Sequence, residues 1–354
     1  MLKGRSIPKL MKAVWVPARG GPDALTLGIR PLPVSGPDEA LIEVWIAGVN
    51  RPDVLQREGH YPPPPGTTDI LGLEVMGRVA RPALRGGRFR AGEPVCALVA
   101  GGGYAEYVSV PETQCLPVPD WLPSLEAAAL PETVFTIWYN LRLKAHLRPR
   151  EWLLVHGGGG GIGTVAVGLA TALGCHVVAT TGSDEKAVRL LSLGAERVVD
   201  YRQKDCWQEL HMAAMPNGGY NLILDTIGGS YFERNLALLA TGGRLVQLAF
   251  RQGSRISADL SVFLSKRLCF MGSTLRPQRP VVKGQIARAV ERSVFPLLQS
   301  GKFRPIIDSV YPLSTVAQAH ERIDNPAHFG KILLITDAGA GQGLQPVPPG
   351  APGL

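Results

Sequence analysis

Between Trp152 and Ser183 the chain has no Asp, Glu, Lys or Arg, and five consecutive glycines, Gly157 to Gly161, interrupt that stretch. Length alone would allow a membrane span, but a spanning helix needs apolar bulk where these glycines stand. The segment reads instead as a strand, Trp152 to His156, then a glycine turn, then a helix from Ile162 to Gly174. On that helix Ile162, Val165, Ala166, Leu169 and Leu173 share one face. Gly158, Gly160 and Gly163 satisfy G-x-G-x-x-G, with Gly161 and Ile162 between the last two. Missing side chains let the backbone turn tightly and approach a pyrophosphate, whose charge meets N–H groups at the helix start. Between a strand and a helix, this spacing points to a dinucleotide.

The next strand decides which dinucleotide. NAD sites place an Asp or Glu about twenty residues on, where it accepts from the adenosine ribose. Here the strand ends Ala179-Thr180-Thr181-Gly182-Ser183 with no acid at its tip, and Lys186 follows. An acid would repel a 2′-phosphate, whereas hydroxyls and an ammonium would hold it, so NADPH is expected, with Thr180, Ser183 and Lys186 among its contacts. The alternative is that Asp184 and Glu185 only charge a helix N-terminus and Lys186 is solvated.

Around this motif the pattern is α/β in two domains, as the 354-residue length suggests. From Lys12 to about Glu132, short apolar runs broken by Gly and Pro (KAVWV, ALIEVWIAGV, LGLEVMGRVA, PVCALV, YAEYVSV) read as an all-β region, a compact barrel. From Val134 to about Ser273, strands alternate with helices, which implies a doubly wound parallel sheet. A helix near 284–299, the strand VYPLS, the helix AQAHERI and the strand KILLIT then return to the first domain. The expected division is an extension at 1–10, a first domain at 11–133 and 274–337, a cofactor domain at 134–273, and a disordered Gly/Pro-rich tail at 338–354. The active site is expected in the cleft between domains.

Lys and Arg exceed Asp and Glu by 8, but they are scattered and form no basic arm, so a nucleic-acid partner is not expected and a polyanionic cofactor is the economical reading. The five cysteines are far apart, odd in number and contain no C-x-x-C, which fits reduced thiols in a cytoplasmic protein. The basic leader MLKGRSIPKL is too short for a secretory signal and leaves only weak room for mitochondrial targeting.

Five strings carry a likeness to a family. They are Gly48-Val-Asn-Arg-Pro-Asp53, Gln56-Arg-Glu-Gly-His-Tyr-Pro-Pro-Pro-Pro-Gly66, Ile70-Leu-Gly-Leu-Glu-Val75, Gly102-Gly-Tyr-Ala-Glu-Tyr107 and Asp225-Thr-Ile-Gly-Gly229. With the glycine turn and the domain order, the chain resembles the medium-chain dehydrogenases and reductases, and within them the zinc-free quinone oxidoreductases. The narrowest likeness, from about Met11 to Thr336, is to the tumour-suppressor-induced branch and its bacterial relatives. The resemblance implies a β-rich GroES-like catalytic domain, a Rossmann domain binding NADPH, and a homodimer joined near Phe270 to Thr274. It places Asn50 beside the nicotinamide, Thr136 on the nicotinamide side, and Ser183, Lys186 and Tyr201 around the 2′-phosphate. Phe250 would begin the loop that covers the nicotinamide.

The zinc-dependent members of that superfamily bind metal through a Cys, a Gly-His-Glu string and a later Cys or Asp. This chain reads Gly72-Leu73-Glu74, and leucine cannot coordinate zinc, so no metal is expected. Without a Lewis acid, conjugated acceptors such as quinones are the expected substrates, because conjugation spreads the incoming charge. Tyr61 is the expected catalytic side chain with Asn50: a tyrosine in a similar Gly-x-Tyr string is a proton donor in the 2-enoyl thioester reductases, which supplies a second reading of the activity. The alternative is that Tyr61, standing before four prolines, only packs a rigid loop. A third reading, an NADPH-linked RNA-binding or crystallin-like protein, has no RNA motif to support it. His156 is read as packing beneath the cofactor turn.

Overall fold

The computed structural model describes residues 7–351. Fifteen strands occur among them, in chain order β1 Leu10–Trp15, β2 Thr26–Pro31, β3 Glu39–Val49, β4 Glu74–Arg81, β5 Pro94–Leu98, β6 Tyr107–Pro111 and β7 Cys115–Pro117. Next come β8 Trp152–Val155, β9 His176–Thr181, β10 Arg197–Asp200, β11 Tyr220–Asp225, β12 Leu239–Gln247 and β13 Cys269–Gly272, followed by β14 Ile307–Pro312 and β15 Lys331–Ile335. The chain divides into two compact units. One holds the chain up to Phe135, Arg276–Gln299 and everything from Ile306 on; the other holds Thr136–Leu275 and Ser300–Pro305.

In the first unit a mixed sheet runs β14-β15-β3-β4-β5-β7, with β6 also on β3 and a separate β1-β2 ladder. The long strand β3 is its organiser, bordered by β4 on one side and by β15 and β6 on the other. Because it is covered on both faces, it reads as an almost unbroken apolar run rather than an alternation. Ile42, Val44, Val75, Val95, Val108, Ile332 and Leu334 meet in the buried core beside it.

The second unit is a parallel six-stranded sheet, β10-β9-β8-β11-β12-β13. Helices Gly161–Ala172, Asp184–Ser192, Cys206–Ala214, Tyr231–Leu238 and the short Ser261–Lys266 lie in the five connections between its strands. Its central strands carry Leu153, Leu154, Val155, Leu222, Ile223 and Leu224, all fully buried, as a sheet packed on both faces requires. From β8 the chain winds to β9 and β10, then restarts at β11 and winds the other way. The turn after β8 and the loop after β11 therefore flank the point where strand order reverses, which is where open α/β sheets bind ligands. The helices before β9 and β10 end at Gly174 and Gly194, whose φ of 78° and 98° are left-handed caps that glycine adopts at low cost.

Three features depart from the sequence reading. Helix Cys206–Ala214 was not anticipated; Cys206, Leu210 and Ala214 form its buried stripe. Ser300–Pro305 belongs to the second unit rather than to the returning segment, because Phe303 is buried there against Gly168. The tail expected to be disordered from 338 is built into the first unit as far as it is described. Thr336 caps a short helix, Asp337–Ala340, by accepting from the Gly339 N–H. Farther on, Val347 exchanges both backbone hydrogen bonds with Val310 at 2.8 and 2.9 Å. That contact covers part of the exposed edge of β14, a stabilising use of the tail's backbone that composition does not reveal. Residues 1–6 and 352–354 of the expected leader and tail lie outside the described residues. No described helix is long and apolar enough to cross a membrane.

Candidate active site

The glycine turn is shaped by close approaches. Gly157 sits at φ 74°, and its N–H donates to Thr180 Oγ1 at 3.2 Å while the Gly158 N–H donates to the Thr180 carbonyl at 2.9 Å. A Cβ on Gly158 would lie 2.9 Å from Leu190 Cδ1 and 3.1 Å from Ala179 Cβ. One on Gly163 would lie 2.3 Å from the Gly157 carbonyl oxygen, so the first and last glycines of the motif are steric requirements. Gly160 is the N-cap of helix Gly161–Ala172, and Ile162 lies half-buried in its first turn. No acidic side chain occupies that turn, so the helix start keeps its positive end for an anion.

At the tip of β9, Thr180 and Thr181 are buried. The Thr180 hydroxyl is engaged by Gly157 and His156, so this residue braces the turn from beneath. Ser183 is the N-cap of helix Asp184–Ser192 and accepts from the Lys186 N–H at 3.4 Å. Gly182 lies under Tyr201, where a Cβ would come within 2.5 Å of the phenol oxygen. Ser183, Lys186 and Tyr201 are thus gathered at one strand tip. Asp184 and Glu185 lie in the first helical turn as the alternative reading has it. Asp200 is held well below the usual carboxylate range, at about 2, by the Arg202 guanidinium.

The loop after β11 is set by Asp225, fully buried, which accepts from Ile227 N at 2.6 Å and Gly228 N at 3.1 Å. Gly228 and Gly229 have φ of 68° and 55°. Two backbone bonds, Gln252 N to Ile227 O and Gly229 N to Gly253 O, join this loop to the one that follows β12. Phe250 begins the second loop, exposed, with its ring over Gly228. Thr136 is half-buried, its carbonyl accepting from the Asn140 side chain at 2.9 Å.

In the first unit the string Gly48 to Asp53 ends β3 and begins helix Arg51–Arg57. Asn50 is its N-cap, with its backbone N–H on Asp53 Oδ2 at 2.8 Å. Its side-chain amide donates to Glu74 Oε1 at 2.9 Å, and its amide oxygen accepts from Lys331 Nζ at 2.5 Å. Lys331 also pairs with Glu74 at 2.5 Å, both buried. The Asn50 amide is therefore engaged at both ends within the unit. Burial pushes the Asp53 carboxyl up to about 6, although N–H donors from Asn50 and Gly72 pull it back. Burial likewise pushes Glu132 up to about 7. Tyr104 joins Asp53 to His320, each at 3.2 Å, and burial with the adjacent Arg57 guanidinium holds His320 down at about 3, so it stays neutral.

Tyr61 is half-buried, and Arg276 lies over its ring. Burial raises the phenol while Arg276 opposes the rise. Leu73, at the position where zinc-dependent relatives carry an imidazole, is buried. Among the described residues no group of three or more His, Cys, Asp or Glu side chains is placed to hold a metal ion.

Comparison with known proteins fits this geometry. Residues 36–120 match the alcohol dehydrogenase GroES-like domain, and residues 193–334 match the family described as zinc-binding dehydrogenase. The mouse quinone oxidoreductase is 30% identical over 333 residues, covering 92% of this chain and 98% of the relative. The chain belongs to the quinone oxidoreductase family of medium-chain dehydrogenases and reductases. The Escherichia coli quinone oxidoreductase, solved in complex with NADPH, has a TM-score of 0.82 at 27% identity, covering 92% of this chain and 99% of its own. A mycobacterial structure complexed with NADPH has a TM-score of 0.81 at 27% identity, with the same coverage.

Within this family member the sequence pointed to the glycine turn, the β9 tip and the Tyr61 loop. It missed Asn235, Arg276 and Lys331, buried polar side chains that reach the glycine turn, the Tyr61 loop and Asn50 respectively from distant parts of the chain. Lys331 had one local signal, a lysine opening an otherwise apolar strand.

Proposed function

We propose that this quinone oxidoreductase family member takes NADPH at the glycine turn and reduces a quinone or similarly conjugated carbonyl. The observation that carries the cofactor reading is the tip of β9, where Ser183 caps the helix that carries Lys186, Tyr201 lies over Gly182, and the strand itself ends without an acid. Bound there, NADPH would supply the hydride. The turn from Gly158 through Gly160, Gly161 and Ile162 to Gly163 would receive the pyrophosphate on backbone N–H groups. By the resemblance, Phe250 would cover the nicotinamide and Thr136 and Asn50 would border it, Asn50 with its amide held by Glu74 and Lys331. Tyr61 would hydrogen-bond the acceptor oxygen. Leu73 offers no Lewis acid, which favours acceptors that delocalise charge by themselves. The exposed edge strand β13, with Cys269 and Phe270 uncovered, supports a homodimer made by joining two such sheets. A cytoplasmic setting agrees with five unpaired thiols.

The test is NADPH oxidation followed with 1,2-naphthoquinone and with cyclohexanone, in parallel with NADH. Quinone reduction with NADPH far ahead of the other three combinations is the expected result. Efficient ketone reduction, or equal use of NADH, would overturn it.

A further inference from the structure

Beneath the glycine turn a line of buried polar groups runs to the far side of the site. Asp225, an acceptor only when ionised, takes the Asn235 amide N–H on Oδ2 at 3.1 Å. The Asn235 amide oxygen must then face His156, whose Nε2 lies 2.8 Å away. That contact requires the proton on Nε2 and leaves Nδ1 bare. Nδ1 sits 3.3 Å from Thr180 Oγ1, so the threonine hydroxyl donates to it and its lone pair receives the Gly157 N–H. One carboxylate thus sets the direction of every hydrogen bond up to the turn. The side chains of Trp207 and Tyr231 wall the imidazole, with ring centroids at 5.8 and 4.9 Å, and His156, Thr180, Asn235 and Asp225 are all buried.

At its other end the same Asp225 holds Ile227 and Gly228, and through them the loop that carries Phe250. We infer that His156 and Asn235 are positioning residues that lock the pyrophosphate turn and the Asp225 and Phe250 loops into one register, so that loosening either end loosens the other. The inference rests on the reading that the turn holds NADPH.

Its test is a double-mutant cycle on the full chain with Thr180→Val and Asn235→Ala, read by NADPH titration. Each single change should weaken binding about tenfold, the worth of one buried hydrogen bond, and Thr180→Ser should restore it. If the line acts as a unit, the double variant binds about as well as either single one; an additive loss of about a hundredfold overturns the inference. Hydrogen exchange gives a second reading: Thr180→Val should speed exchange at residues 226–230 and 250–253, which lie beyond the hydrogen-bond partners of Thr180 in the turn, His156, Gly157 and Gly158, and unchanged exchange there counts against the coupling. Should a variant fail to fold, nitrogen NMR of the unmutated protein decides, with the Nε2–H tautomer of His156 expected and an Nδ1–H tautomer overturning the assignment. If unmutated protein binds no NADPH, the proposed function fails, while the exchange and tautomer measurements still judge this inference.

Discussion

The Arg276 guanidinium carbon lies 5.3 Å from the centroid of the Tyr61 ring while its Nε and Nη2 donate to the Ala100 carbonyl and to Gln56 Oε1, both at 2.7 Å. A cation fixed over a phenol favours the phenolate, and here it offsets part of the rise that burial imposes on Tyr61. Arg276→Met should therefore make Tyr61 harder to ionise. If Tyr61 donates a proton, the alkaline limb of kcat/KM for an enone should move to higher pH. A limb that stays in place would argue that Tyr61 is not the titrating donor.

Glu74 and Lys331 form a buried ion pair that also anchors Asn50. Removing one partner strands the other charge, which typically costs about 3–5 kcal/mol. Lys331→Met should lower stability by about that amount in urea unfolding, and Lys331→Met with Glu74→Gln should recover part of it. Equal stability of the single variant and the parent would contradict the pairing.

The fold was legible where one short segment carries the whole signal. The uncharged run through β8 and its helix declares a buried parallel strand and a glycine turn without help from elsewhere, and the lack of an acid at the β9 tip is visible within a few residues. The buried polar side chains of the site were not legible, because their partners are remote in sequence: Lys331 meets Glu74 across 257 positions and Arg276 meets Gln56 across 220. The family resemblance implied Asn50 as a neighbour of the nicotinamide, yet only the structure shows that its amide is engaged by both members of the ion pair. The tail illustrates the opposite error. Its glycines and prolines suggest disorder, but Gly339 is needed because a Cβ there would lie 2.3 Å from the Trp45 carbonyl oxygen.

Asp53 makes stability depend on pH. Its carboxyl is pushed from 3.8 to about 6 by burial, so the folded state prefers the protonated acid. The stabilising contribution is therefore complete below about pH 4 and is lost as pH rises through 6. Glu132, pushed up to about 7, acts in the same sense. A shift of about two units corresponds to about 3 kcal/mol. Asp53→Asn removes the titration, so the difference in unfolding free energy between pH 4 and pH 7 should change by up to about that amount relative to the parent. Identical pH profiles for parent and variant would refute the buried acid.

On the proposed reading, cofactor choice would rest on Ser183, Lys186 and Tyr201. A charge-assisted phosphate contact is worth on the order of 1.5–3 kcal/mol. Lys186→Ala should therefore weaken NADPH by roughly tenfold or more and leave NADH almost unchanged, as measured by fluorescence titration. Equal loss for both cofactors would indicate that Lys186 supports the helix and not the phosphate.

The acceptor is the property that the Tyr61 hydroxyl can separate. Tyr61→Phe keeps the ring beneath Arg276 and removes only the O–H, so packing is preserved while hydrogen bonding and proton donation are lost. When a quinone is reduced, the proton goes to oxygen, where water supplies it readily, and the variant should lose little. When an enone or enoyl thioester is reduced, a proton goes to carbon, where a positioned acid typically contributes roughly 10²–10⁴-fold. The expected outcome is thus a modest fall in naphthoquinone turnover beside a severe fall in any enone turnover, with both rates in the parent unaffected by a strong chelator because Leu73 cannot hold zinc. A parent enzyme that ignores quinones but reduces enoyl thioesters, with Tyr61→Phe abolishing that activity, would assign this site to enoyl reduction instead.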